Sequence, residues 1–352
     1  MVINSFAVQE PSNGCEQPTL TFDRGVPRTL VHKTAVSEVL LTDAVRTGVD
    51  RYTVAAQWPH HHVLFDSGLS PSGTADPLLL VETVRQAGIY LSHVYYNVPR
   101  NHPFVLTSLD CEVGPSATPL SAGTGPHSVL VDIVCRLDAD AADRFGMSLD
   151  AVLVVDGRVV GRVGLCWQAL SPERYERIRF PRTGREAGHA EPQPQPQPQP
   201  QPPTQPQALA APLLPAQVFG RFYERDAMLA SGAVPESWQL RLDTAHPVYF
   251  DHACDHVPGM SLIEAFSQAA TLSSARATGV DPALLRWSLE SSAVSFLSFG
   301  ELDVPVTVTA DHVAEPSEAG RHTVRVAAEQ DGRLLAVAAL IGVIAAPTAG
   351  GA

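Results

Sequence analysis

The feature that most limits how this chain can fold is that it repeats itself. Four landmarks recur in the same order on either side of a proline–glutamine tract, Glu191 to Gln207 (EPQPQPQPQPQPPTQPQ). Alternating proline denies that tract both helix and sheet and favours an extended polyproline II linker. A duplicated chain of 352 residues must build one kind of core twice, and each half is long enough to be a domain. The repeats are placed at 28–180 and 216–346, with 1–27 as an irregular lead-in, 181–215 as linker and 347–352 as a tail.

The first landmark is a basic residue followed five positions later by an acid and then an apolar stretch: Lys33 to Leu41 (KTAVSEVLL) and Arg221 to Leu229 (RFYERDAML). The second sets His62 to Asp66 (HVLFD) against Pro247 to Asp251 (PVYFD), each after an alternating strand segment, Tyr52 to Gln57 and Trp238 to Leu242. The third is Pro77 to Ala87 (PLLLVETVRQA) against Pro258 to Ala269 (PGMSLIEAFSQA). Proline at the start and apolar residues at helical spacing through Tyr95 and Ala275 predict a long helix in each half. The fourth, Val154 to Val160 (VVDGRVV) against Glu329 to Leu335 (EQDGRLL), predicts a type I′ hairpin at Asp-Gly. Further strands are expected over 104–113, 128–137, 151–167, 294–297, 304–312 and 322–344. A helix apolar over most of its circumference must be wrapped by its sheet, so the fold class is α+β.

Composition removes several function classes. The net charge of −13 repels phosphate backbones, and no basic patch offsets it, so no nucleic-acid partner is expected. No apolar run reaches the roughly 18 residues of a membrane span, and the N-terminus MVINSFAVQEPSNG lacks the regions of a signal peptide; a cytoplasmic protein without membrane contact is expected. Five cysteines (Cys15, Cys111, Cys135, Cys166, Cys254) without CxxC spacing argue against a disulfide framework or a cysteine zinc site. His60, His61 and His62, or His252 with Asp255 and His256, lack a complete metal signature, so no metal is expected. The absence of GxGxxG, P-loop and GxSxG motifs removes nucleotide cofactors and serine hydrolysis; no cofactor is expected. Lys33 is the only lysine, which fits the codon usage of a GC-rich genome.

A long buried helix, preceded by a histidine loop and wrapped by a curved antiparallel sheet, resembles the hotdog fold. Tyr249 to Ala269 is similar to the active-site stretch of β-hydroxyacyl-ACP dehydratases, in which FxGHFPG leads to PGVLxxExxAQ, although the loop here is two residues shorter. The whole chain looks more like the A-factor biosynthesis (AfsA-type) family of γ-butyrolactone synthases, which carry two hotdog repeats. The resembling segments are Leu30 to Thr42, Asp76 to Gln86 and His246 to Met260. The resemblance implies a tandem double hotdog forming an intramolecular pseudo-dimer. It implies transfer of a β-ketoacyl chain from acyl carrier protein to a hydroxyl of dihydroxyacetone phosphate. It also implies a functional role for Glu82 and for an arginine three positions after the second helix acid. That position is Ser267 here, a departure that leaves Arg85, at the equivalent place in the first repeat, as the substitute. Other chemistry on the same fold, dehydratase or thioesterase, and a non-catalytic acyl or lactone binder are the rival readings. A homo-oligomer is compatible with the sequence.

Acyl transfer needs a base near the attacking hydroxyl and donors aimed at the carbonyl oxygen. The N–H groups of Gly259 and Met260, in the first turn of the second helix, are expected to supply the donors. Glu82 and Glu264 sit in apolar helical stretches, where a carboxyl is costly unless bonded, paired or held protonated with a raised pKa; both are read as proton-handling groups, with His252 beside Glu264. Ser67 occupies the position similar to His252 in the first half. Arg85, Lys33 and Arg221 are the candidate cations for the acceptor phosphate, and Gln86 and Gln268 are read as structural.

Overall fold

The computed structural model describes residues 20–65, 75–114, 126–138, 144–180, 212–313 and 320–345. Most of the expected linker, most of the lead-in, the tail, Cys15 and Ser67 lie outside the described residues.

The first half contains strands β1 (Leu41–Gly48) and β2 (Arg51–Trp58), helix α1 (Pro77–Tyr95), β3 (Phe104–Val113), β4 (His127–Asp138), β5 (Arg144–Val155), β6 (Arg158–Leu170) and a short helix α2 (Pro172–Arg179). The second contains β7 (Leu229–Ser231), β8 (Ser237–Leu240), helix α3 (Gly259–Thr278), β9 (Arg286–Phe296), β10 (Thr307–Val313), β11 (Arg321–Gln330) and β12 (Arg333–Ala345). The strands join in one 12-stranded sheet in the order β1-β2-β4-β5-β6-β3-β9-β12-β11-β10-β8-β7. Each half follows the same permutation, read from opposite ends, and the halves meet where β3 runs antiparallel to β9, Ser108 opposite Ser295 and Glu112 opposite Ser291. The chain is a tandem double hotdog whose two repeats join edge to edge as a pseudo-dimer.

Period-two alternation builds the wrap. On β4, Val129, Val131 and Ile133 are buried while Leu130 points outward, and on β11 Val324, Val326 and Ala328 turn inward. Both Asp-Gly turns have the left-handed backbone that the type I′ hairpin demands, with φ of 49° and 74° at Asp156 and Gly157 and of 51° and 76° at Asp331 and Gly332. The expected stretches 151–167 and 322–344 therefore resolve into the pairs β5–β6 and β11–β12.

The α1 helix starts where Asp76 accepts the Leu78 N–H at 2.7 Å and proline takes the first helical position. It packs on β6, β3 and β5, and α3 packs on β10, β11, β12 and β9. Gly88 is the close-approach point on α1, since a Cβ there would stand 3.0 Å from the Trp167 ring. Each long helix beds on its own half-sheet, and ion pairs tie α1 to loops of the other repeat, Arg85 to Asp251 and the cap residue Asp76 to Arg221. The helix α2 is an addition to the elements expected from sequence, although Ser171 before Pro172 is a capping signal, its hydroxyl accepting the Arg174 N–H at 3.2 Å.

Candidate active site

The duplication extends to hydrogen bonds. Four residues after each helix acid a glutamine faces the same way, because residues four apart share a helix face. Gln86 donates to Glu82 and to the Glu38 carbonyl at 2.8 Å each, and its Oε1 accepts the Leu40 N–H at 2.9 Å. Gln268 repeats the pattern with Glu264 (2.7 Å), the Asp226 carbonyl (2.8 Å) and the Met228 N–H (2.8 Å). Each glutamine thus pins the strap carrying Lys33 or Arg221 to the helix carrying the acid, the structural role read for it. The histidine turns also match: Nδ1 of His62 accepts from Leu64 and Phe65 N–H, and Nδ1 of His246 from Val248 and Tyr249 N–H. This corrects the second landmark by one residue, since His62 corresponds to His246 and not to Pro247.

The two halves differ in what surrounds the acid. Around Glu82, Lys33 stands 2.7 Å away and Arg85 makes a two-pronged contact at 2.8 and 3.1 Å. The second repeat then reaches across: Asp251 Oδ2 accepts from Lys33 at 2.5 Å and from Arg85 at 2.8 Å, and its Oδ1 holds His252 Nδ1 at 2.5 Å. Two cations and two carboxylates are buried together there, with only 1% of the Lys33 side chain and 3% of Glu82 exposed. Burial alone would raise the Glu82 carboxyl, but Arg85 and Lys33 more than offset it and hold it below the usual range. The raised, proton-exchanging carboxyl expected at Glu82 is therefore reversed. Asp251 is likewise held well below its ordinary value, burial being outweighed by Arg85, His252 and Lys33.

Around Glu264, Arg221 takes the place of Lys33, binding both carboxylate oxygens at 2.9 and 2.6 Å, the Leu64 carbonyl at 2.5 Å and Asp76 at 3.6 Å. Burial raises Asp76 to about 6 despite Arg221 beside it. Ser267, in the Arg85 position, is half-buried, and its carbonyl accepts the Thr271 hydroxyl at 3.0 Å. His252 does not join this cluster. The expectation that it stands beside Glu264 is corrected by the crossing of its loop to the helix acid of the other repeat, Glu82, through Asp251.

A cavity of about 310 Å³ lies against the first cluster. Apolar side chains including Ile89, Leu106, Trp167 and Phe296 form much of its wall, and Arg85, Asp251 and His252 form a polar rim. Gly259 and Met260 line it, at the start of a helix whose cap residue, Pro258, offers no side chain to its N–H groups. A Cβ on Gly259 would stand 3.3 Å from the Phe296 ring, so glycine keeps this end open. Of the three candidate cations, only Arg85 is in the cavity wall; Lys33 and Arg221 are enclosed by carboxylates, and Glu82, Glu264 and Ser267 are not among the lining residues.

One lining residue stands outside the sequence-predicted catalytic set. His256 lies two residues before Pro258-Gly259, as the histidine of GHFPG lies before its Pro-Gly, yet sequence reasoning considers it only as a metal ligand. Its Nδ1 bonds Asp255 at 2.7 Å, repeating four residues on the pairing of Asp251 with His252. Cys254, Asp255 and His256 bring ligand atoms within 4.8 Å of one another, but the carboxylate and imidazole are bonded together and to the Tyr175 hydroxyl, which accounts for the grouping.

The A-factor biosynthesis hotdog domain profile matches residues 16–171 and again 204–344. The chain belongs to the A-factor biosynthesis hotdog family. It is 35% identical over 309 residues to the 2-oxo-3-(phosphooxy)propyl 3-oxoalkanoate synthase of Streptomyces virginiae, covering 87% of this chain and 93% of that protein. It is 30% identical to the protein of the same name from Streptomyces coelicolor, covering 94% of each. Among solved structures, a putative oleoyl thioesterase from Lactobacillus plantarum aligns with a TM-score of 0.46 at 10% identity, over 84% of this chain and 97% of that one.

Proposed function

We propose that this family member is an acyltransferase that moves a β-ketoacyl chain from the thioester of an acyl carrier protein to the hydroxyl of dihydroxyacetone phosphate. The observation that carries the reading is the cavity: apolar side chains for an acyl chain share its lining with the start of an uncapped helix and the Asp251–His252 pair. The relatives' name describes the ester that such a transfer would make, a 3-oxoalkanoate joined to a 2-oxo-3-(phosphooxy)propyl group.

The chemistry runs on this chain's own groups. With Nδ1 held by Asp251, His252 turns its Nε2 to the acceptor hydroxyl, and its side chain, 46% exposed, stands where a polar substrate enters. The alkoxide adds to the thioester carbonyl carbon; the oxygen that gains the electron pair is held by the N–H groups of Gly259 and Met260. Collapse breaks the C–S bond, and the departing thiolate takes the proton from His252. Glu82 and Lys33 act one step back, fixing Arg85 and Asp251, and Arg85 faces the acceptor phosphate at the rim. Glu264 with Arg221 keeps the second repeat's strap on its helix.

Among the described residues no helix is long and apolar enough to cross a membrane. A cytoplasmic site fits a carrier-bound donor and a phosphorylated acceptor. Purified protein incubated with a β-ketoacyl thioester and dihydroxyacetone phosphate should give a new phosphorylated ester by mass spectrometry; free β-keto acid or an enoyl product instead would overturn the reading in favour of a thioesterase or dehydratase.

A further inference from the structure

The loop before α3 carries Asp-His twice, at 251–252 and 255–256, and both histidines line the one cavity. In each pair the aspartate bonds its own neighbour's Nδ1, leaving Nε2 for something else. The pairs are not equally placed. The His252 side chain is 46% exposed, at the mouth; that of His256 is 25% exposed and stands further in, two residues from the α3 N-terminus.

The inner histidine makes more contacts than the outer one, although its aspartate, Asp255, is 43% exposed against 5% for Asp251. Besides Asp255, Nδ1 of His256 meets the Tyr175 hydroxyl at 3.2 Å, and the ring packs edge-on against Phe299 with centroids 5.0 Å apart. Arg179, from α2, donates to the Asp255 carbonyl at 2.9 Å and pairs with Asp255 at 3.4 Å and Glu301 at 2.5 Å. Every described polar contact of the ring is thus made at Nδ1. Nε2 bonds to no described residue and is not among the sealed, unpartnered polar atoms, so it is an accessible nitrogen on a residue that lines the cavity. Burial alone would lower this imidazole, but its bonds to Asp255 and Cys254 raise it to about 9, which leaves it a donor at neutral pH.

Building on the acyl-transfer reading, we propose that the Nε2–H of His256 joins the N–H groups of Gly259 and Met260 in holding the carbonyl oxygen of the bound thioester, which makes His256 a catalytic residue. The two histidines then divide the work. His252 accepts the hydroxyl proton and returns it to the thiolate, while His256 keeps its proton and hydrogen-bonds the oxygen onto which the carbonyl electron pair moves. Tyr175, Arg179 and Asp255 are positioning residues, and α2 serves to brace the inner pair.

The test uses the full chain and a β-ketoacyl pantetheine thioester labelled with ¹³C at the thioester carbonyl. Without acceptor, isotope-edited infrared spectra should show the carbonyl stretch of the bound donor shifted to lower frequency. The shift should shrink in His256→Ala, persist partly in His256→Gln and be unchanged in His252→Gln. With dihydroxyacetone phosphate, single-turnover transfer should fall about 10²–10³-fold in His256→Ala, the loss typical of one oxyanion donor, while donor affinity changes less than about threefold. An unchanged carbonyl shift in a folded His256→Ala protein, or a loss confined to donor affinity, overturns the proposal. A native protein that shifts the carbonyl through His256 yet forms no phosphorylated ester would overturn the acyl-transfer reading and leave the His256 assignment standing.

Discussion

Glu82→Gln removes one charge from a largely buried group of four. Native Lys33, Arg85, Glu82 and Asp251 sum to zero, with side-chain exposures of 1%, 17%, 3% and 5%. The variant leaves two cations facing one carboxylate. Breaking a buried pair by removing one partner costs about 3–5 kcal/mol, because the remaining charge is desolvated without compensation. At about 1.4 °C per kcal/mol for a chain of 352 residues, the midpoint of thermal unfolding should fall by about 4–7 °C. Lys33→Met should cost a similar amount for the opposite reason, leaving an excess carboxylate. The Lys33→Met/Glu82→Gln double variant restores neutrality with Arg85 and Asp251, so its loss should be at least about 2 kcal/mol smaller than the two single losses added together. Urea unfolding of the four proteins measures this directly. A Glu82→Gln loss under about 1 kcal/mol, or strict additivity, would refute the closed four-charge cluster and the low Glu82 pKa that depends on it.

Three further outcomes follow from the geometry. Asp76 titrates near 6 in the folded chain against 3.8 for a free aspartate, so the folded state binds that proton more tightly and stability from this group falls as pH rises from about 4 to about 6, by about 3 kcal/mol in all; Asp76→Asn should flatten that segment of the stability–pH curve, and an unchanged slope would contradict the burial argument. His252→Gln should lower kcat about 10²–10⁴-fold with little change in unfolding midpoint, and full activity would remove it as the base. Glu264→Gln should destabilise the fold by leaving Arg221 buried without its full counter-charge, yet retain kcat within about fivefold when assayed well below its midpoint, whereas loss of turnover in folded protein would place the chemistry in the second repeat.

Local features of the sequence carried much of the fold. The Asp-Gly pairs announce two hairpins because few residues adopt two successive positive φ values, and β3 is legible over 104–113 because its ends are marked by Pro103 and Gly114. The acid–glutamine spacing recurs on both helices; a structural role for the glutamines is legible from it, but their partners, the helix acid and the strap backbone, are not. What the sequence does not carry is the crossing between repeats. Nothing in the local pattern around Asp251 and His252 tells that their partners are Lys33 and Arg85, more than 160 residues earlier, and a local reading pairs them with the nearest acid, Glu264. The direction of the Glu82 shift is hidden for the same reason, since burial is visible in an apolar run but the two cations that reverse its effect are not. His256 is legible in principle from its spacing to Pro-Gly; its neighbours Tyr175 and Arg179, on a helix that follows β6, are not.

The central claim is that one composite site, built from the first repeat's Arg85 and the second repeat's loop and α3 N-terminus, receives the donor thioester. The most direct measurement is a crystal structure with a non-transferable β-ketoacyl pantetheine analogue. The account requires the acyl chain among Ile89, Leu106, Trp167 and Phe296, with the carbonyl oxygen within hydrogen-bonding distance of the Gly259 or Met260 N–H. An analogue bound beside Glu264 and Arg221, or one whose carbonyl faces away from the start of α3, would contradict it.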